Sequence, residues 1–71
     1  MIKPGLYRHS KSGKLYTLHF IETDSETLEE RISYQAEYGE RKRWTRPIKM
    51  WDELVEINGK LVERFVKEGE S

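Results

Sequence analysis

Aromatic and basic side chains are concentrated between residues 34 and 50. Trp44 and Arg46 lie two positions apart, so a strand would place the indole and the guanidinium side by side on one face. Such a pair can stack a planar group while the arginine donates hydrogen bonds to a carboxylate or phosphate. Tyr34 and Tyr38 share one face of the preceding predicted strand and could neighbour Trp44. The pattern therefore favours an aromatic and arginine binding surface.

A structural role for the same residues is the alternative. The chain has few large apolar residues, so Trp44 and Tyr34 could instead form its core. Arg46 would then be a buried arginine paired with Glu26 or Glu30. The two roles can coexist, and exposure of the Trp44 ring decides how far each one holds.

Arg8 and His9 are two further candidates for the binding surface. Adjacent residues of a regular strand point to opposite faces, so both can join one site only at a bulge or an edge. Otherwise Tyr7 and His9 share a half-buried face, and Arg8 is solvated or salt-bridged.

The basic run at residues 41–43 reads as a hairpin tip facing solvent. The competing function is a nucleic-acid-associated domain that contacts single strands through Trp44 and the strip at residues 41–46. Thirteen basic and thirteen acidic residues cancel in the whole chain, which argues against a non-specific nucleic-acid binder.

Catalytic and metal chemistry find little support in the sequence. Ser25 would need His9 or His19 within hydrogen-bond reach and a donor pair for an oxyanion. The chain has no Gly-x-Ser-x-Gly elbow, no glycine-rich phosphate loop, no cysteine and only two histidines. We therefore predict no enzymatic activity, no metal site and no cofactor, and a partner that is either a protein or a small planar or anionic ligand.

Alternating side chains and turn residues predict a chain of short strands. The expected strands cover residues 6–10, 15–22, 28–38, 43–46, 53–57 and 60–67, with one helical turn at 48–52. Thr27 and Glu30 would also fit a capping box that begins a helix. Four consecutive matches to a period of two, from Ile32 to Tyr38, favour a strand instead.

More specific predictions can be made for the second strand and for the last hairpin. In the second strand the apolar face is assigned to Tyr16, Leu18 and Phe20. Asn58-Gly59 is a strong hairpin signal, because both residues tolerate the positive φ of a two-residue turn. The hairpin should pair Val55 with Val62, Ile57 with Lys60 and Glu53 with Arg64 across its strands.

These elements predict a mainly all-β fold of five or six short strands. It would be a small antiparallel β-barrel or a strongly bent sheet, Src-homology-like, with the helical turn near residues 48–52. The chain should form one domain over residues 1–71, with 1–4 and 68–71 frayed.

No apolar run reaches the length of about 20 residues that spans a bilayer, so we expect a cytoplasmic protein. A chain of 71 residues buries a small core, so either a monomer or a homodimer is expected.

Taken together, these elements resemble an uncharacterised, mainly bacterial family, the domain of unknown function 1653. The matching residues are Gly5-Leu6-Tyr7-Arg8-His9, the turn from Lys11 to Tyr16, Ser25-Glu26-Thr27 with Glu29, Tyr34, Tyr38-Gly39, Trp44-Thr45-Arg46-Pro47 with Met50, the hairpin from Val55 to Gly59 and Arg64-Phe65. Asp24 stands where the family often has histidine, Trp51 replaces a usual phenylalanine and Glu63 replaces a proline. The resemblance implies a small soluble β domain without established activity, and it supplies no catalytic residues.

Overall fold

The structure is a computed structural model that describes residues 2–69. Strands with alternating side chains and the tight turns between them make up almost all of it. The strands and the helix are β1 (Gly5–His9), β2 (Leu15–Thr23), β3 (Glu30–Ala36), β4 (Arg43–Pro47), α1 (Ile48–Trp51), β5 (Leu54–Ile57), β6 (Lys60–Glu63) and β7 (Phe65–Gly69). The mainly β fold and the helical turn are confirmed.

The strands form two antiparallel sheets. The larger sheet has five strands in the order β4-β3-β2-β1-β7, and the smaller one is the hairpin of β5 and β6. Strands β4 and β7 lie at opposite edges of the larger sheet and do not pair with each other. Of the two predicted architectures, the open sheet is therefore the one that forms, and the closed barrel is not.

The segment from residue 28 to residue 36 is a strand, as its alternation favours. Strand β3 begins at Glu30, and its residues alternate between exposed or half-buried and buried positions. Leu28 precedes it with a positive φ of 62° and a side chain that is 76% exposed. The helix alternative for this segment is thus wrong.

The last predicted strand divides in two. The hairpin register is confirmed, with Val55 opposite Val62 and Ile57 opposite Lys60, and Glu53 accepts a hydrogen bond from Arg64 at 3.4 Å. The chain then bends at Arg64, so that β7 leaves β6 and pairs with β1. This bend is what turns six predicted strands into seven.

Phe20 corrects the predicted face of β2. The pairing of β2 with β3 shifts between Leu18 and Phe20, which places Phe20 opposite Ser33 and Ile21 opposite Ile32. This β-bulge adds one residue to the strand and reverses the facing of every residue after it. Phe20 therefore lies 60% exposed on the face that carries no core, whereas Leu18 is fully buried.

The core lies on one face of the larger sheet, which we call the core face. It carries Tyr7, His9, Tyr16, Leu18, Ile32, Tyr34, Ala36, Trp44, Arg46 and Phe65. Trp51 of helix α1 covers the centre of this face. Its ring stacks on Phe65 with centroids 3.7 Å apart, and it meets Tyr7 and Tyr34 edge to face at 5.3 and 5.0 Å. The opposite side is the outer face.

Some described residues near the two termini take part in the fold. Glu68 and Gly69 were expected to fray, but they belong to β7, and Gly69 lies opposite Leu6 of β1. Near the other end, the hydroxyl of Tyr7 donates a 2.6 Å hydrogen bond to the carbonyl of Lys3. The remaining residues that were expected to fray at the termini, Met1 and residues 70–71, lie outside the described residues.

No helix among residues 2–69 has the length and apolar character needed to cross a membrane.

Candidate functional site

Trp44 is the most exposed aromatic residue of the core face. It lies in the middle of β4, opposite Tyr34 of β3, and half of its surface is exposed. Tyr34 beneath it is buried. Of the two roles predicted for this pair, Tyr34 has the core role and Trp44 presents its ring to solvent.

A small groove runs along the Trp44 ring. Its volume is about 120 Å³, and its walls are Ala36, Tyr38, Gly39, Glu40, Lys42 and Trp44. The turn between β3 and β4 forms this end of the sheet, so Tyr38 and Trp44 reach the groove from its two sides. Both rings line the same groove.

Arg46 lies two residues along β4 from Trp44, on the same face and opposite Ile32. Its guanidinium carbon lies 5.7 Å from the centre of the Tyr34 ring, a cation–π contact. The predicted pairing with Glu26 or Glu30 does not form. Among residues 2–69 the guanidinium makes no hydrogen bond and no ion pair, so its donors are free to bind an external acceptor.

A pair of tyrosine hydroxyls lies beside this groove. The hydroxyl oxygens of Tyr16 and Tyr38 are 2.5 Å apart, and the ammonium of Lys14 lies 4.5 Å from the centre of the Tyr38 ring. Burial and then the hydrogen bond between the two hydroxyls raise the pKa of Tyr16 to about 12. Tyr38 is therefore held in place by a partner on β2.

His9 lies at the end of β1, beside the turn that leads into β2. Its ring packs against Phe65 with centroids 5.0 Å apart. Its Nδ1 accepts a 3.3 Å hydrogen bond from the backbone N–H of Ser12 and lies 3.0 Å from the Ser12 hydroxyl. Burial, followed by the positive charges of Arg64, Arg46 and Lys11, lowers the pKa of His9.

Arg8 is not brought to this surface. Its side chain lies on the outer face and pairs with Glu68 of β7. This is the regular-strand alternative, in which Tyr7 and His9 share a face and Arg8 is salt-bridged.

The basic strip at residues 41–46 is divided among several environments. Arg41 pairs with Glu37 at 2.9 Å, and Lys42 pairs with Glu40 at 3.8 Å. Arg43 lies opposite Gln35 on the outer face, away from Trp44. The strip does not present one continuous cationic surface beside the tryptophan.

In the polar loop that precedes β3, side chains form hydrogen bonds to the backbone of the same loop. Oδ1 of Asp24 accepts hydrogen bonds from the backbone N–H groups of Glu26 and Thr27, at 2.8 and 3.2 Å. These two bonds lower the pKa of Asp24. The histidines are bonded elsewhere, His9 to Ser12 and His19 to Gln35 at 3.1 Å. No group of three potential metal ligands was found among the described residues.

Sequence reasoning did not place Ala36, Lys42 and Tyr16 beside the groove. All three depend on cross-strand register, since Tyr16 lies opposite Ala36 across β2 and β3. The alternation of side chains along β2 assigned Tyr16 to the core side. Alternation within one strand does not show which residues of two neighbouring strands lie opposite each other. The loop at residues 24–29 joins β2 to β3, and the turn at residues 37–42 joins β3 to β4 and places Lys42 beside Ala36.

Comparison with known proteins supports the overall arrangement. The model of DUF1653, described as a protein of unknown function, matches residues 5–67. A crystal structure of a protein of this family from Bordetella bronchiseptica aligns with a TM-score of 0.86 and 29% sequence identity, over 99% of this chain and 91% of that chain. Among curated proteins the comparison found no match.

Proposed function

The chain belongs to the DUF1653 family of proteins of unknown function, and we propose that it is a binding module whose ligand stacks on Trp44. One observation carries the proposal. A half-exposed indole lies in a groove on the core face, next to an arginine whose guanidinium has no acceptor among residues 2–69. Stacking on an aromatic ring and hydrogen bonding to arginine are the two contacts that this pair offers.

The size of the groove limits what it can hold. Pockets for drug-sized molecules measure about 300–1,000 Å³, whereas an apolar cavity of about 150 Å³ admits benzene. A groove of about 120 Å³ therefore holds only part of a ligand, such as one side of a planar ring system, and the rest of the ligand lies outside it. A flat ring can bind between Trp44 and Tyr38, and Ala36 leaves room at the base.

The proposed module is non-enzymatic. In support, His9 and His19 are hydrogen-bonded to Ser12 and Gln35 rather than to Ser25. The cytoplasmic location expected from the sequence is part of the same proposal. Nucleic acid is the less favoured partner, because Arg41 and Lys42 are paired with glutamates and Arg43 faces away from Trp44.

A titration monitored at Trp44 tests the proposal. Adenosine, a planar and uncharged probe, should shift the indole N–H resonance of Trp44 and leave that of the buried Trp51 unchanged. Trp44→Ala should abolish binding. Phe20→Ala removes an aromatic ring that is equally exposed but lies on the outer face, so it should bind adenosine as the wild type does. A Trp44 resonance that stays fixed up to millimolar adenosine and other planar probes would contradict the proposal.

A further inference from the structure

Arg46 defines a second part of the ligand site, two residues along β4 from Trp44 and on the same face. Positions two apart on a strand are separated by about 6.6 Å along the backbone, because each residue rises about 3.3 Å. The Arg46 guanidinium extends over the Tyr34 ring, which lies opposite Trp44. A ligand whose ring lies on Trp44 would therefore meet Arg46 with a second group that projects from the ring.

The charge around Arg46 selects the sign of that group. The Arg46 guanidinium pairs with no carboxylate among residues 2–69, and it faces the Tyr34 ring. Glu53 already pairs with Arg64 at 3.4 Å. Glu40 lies at the groove and pairs with Lys42. An anionic group is thus attracted to the Arg46 end.

We propose that the site binds a planar base joined to a phosphate, with the base on Trp44 and the phosphate hydrogen-bonded to Arg46. This inference rests on the proposed function, since it assigns the ligand class of the same site. A nucleoside monophosphate carries an anionic phosphate that is separated from its planar base by the ribose. The same chemistry exists in a free nucleotide and in a single-stranded nucleic acid.

Paired probes separate the phosphate contact from ring stacking. Adenosine and AMP share one ring and differ by the phosphate, so AMP should bind about tenfold more tightly or better, as a charge-assisted hydrogen bond allows. Arg46→Gln should remove this advantage, so that adenosine and AMP bind this variant with similar affinity. Arg43→Gln removes the same charge from the same strand on the outer face, and it should retain the advantage. Thermal unfolding of each variant checks that it is folded.

The outcomes distinguish the two proposals. Equal affinity for adenosine and AMP, or an AMP advantage that survives Arg46→Gln, would overturn the phosphate assignment and leave ring binding intact. No binding of either probe would overturn both. A hexamer of adenylate identifies the source of the chemistry. Affinity above that of AMP supports a single strand as the ligand, and affinity no greater than that of AMP supports a free nucleotide.

Discussion

At the residue scale, the two tryptophans have opposite roles. Trp44 lies in the aromatic and basic segment at residues 34–50, and half of its surface is exposed. Trp51 lies in a helix of four residues and is 2% exposed. Sequence periodicity could not identify Trp51 as the centre of the core, because one helical turn is too short to display a buried stripe. Only the packing of α1 against the sheet reveals it.

Truncating Trp51 should remove a large part of the stability. We expect Trp51→Ala to cost about 3–5 kcal/mol, as for large aromatic residues in cores. A domain of this length is typically stable by only about 4–11 kcal/mol. Trp51→Phe should cost much less, because it keeps the ring stacked on Phe65 and removes an indole N–H that is buried without a partner among residues 2–69. Urea unfolding measures both variants.

Trp44→Ala is the matched control for that experiment. Its ring is half exposed, and surface substitutions usually change stability by less than about 0.5 kcal/mol. A loss at Trp44 as large as the loss at Trp51 would show that the Trp44 ring is part of the core, against the assignment made here.

At the element scale, the turns were predictable and the irregularities were not. Asn58 and Gly59 specify their hairpin through local chemistry, and the register follows. The bulge beside Phe20 has no such local signature, because the alternation of side chains along β2 shows no break in the sequence. The bend at Arg64 likewise depends on β1 offering a free edge to β7. Both features are decided by strand pairing, which a single sequence does not display.

The pairing of β1 with β7 depends on Gly5, and substitution there tests it. A Cβ at this position would lie 2.6 Å from the carbonyl oxygen of Gly69 and 2.8 Å from Cε of Lys67. Gly5 also has a positive φ of 148°. We expect Gly5→Ala to destabilise the protein and to loosen β7, which amide hydrogen exchange can measure residue by residue.

Gly59→Ala provides the comparison for Gly5→Ala. Gly59 has a positive φ of 79°, but an added Cβ would meet nothing within 4 Å. Its cost should be the backbone strain alone, about 1–2 kcal/mol. If Gly5→Ala cost no more than Gly59→Ala, and exchange in β7 were unchanged, the close approach of β1 and β7 would not matter to stability.

At the scale of the whole molecule, one face of one sheet carries the core and the candidate site together. The outer face carries exposed residues such as Phe20 and Val66, which are 60% and 42% exposed. The sequence predicted the mainly β fold and the proximity of Trp44, Tyr38 and Arg46, because strand alternation and tight turns depend on neighbouring residues in the sequence. It could not choose between barrel and open sheet, since that depends on whether β4 and β7 meet.

Burial and nearby positive charge should make the fold sensitive to mild acid through His9. Its pKa is lowered in the folded state by burial and by Arg64, Arg46 and Lys11. The unfolded chain then takes up a proton near the ordinary histidine pKa of about 6.5, before the folded protein does. The stability is therefore complete above that pH and falls as the pH drops towards the folded pKa of His9. The lowered carboxylate pKa values of Asp24 and Glu37 act in the same direction, but only below about pH 4.

Urea unfolding between pH 7.5 and pH 5.5 isolates the histidine. We expect the free energy of unfolding of the wild type to decrease across this range and that of His9→Gln to change much less. Arg46→Gln should reduce the decrease, because it removes one of the cations that face His9, whereas Arg43→Gln on the outer face should not. A slope that is the same in the wild type and in His9→Gln would mean that burial and nearby positive charge do not lower the pKa of His9 in the folded protein.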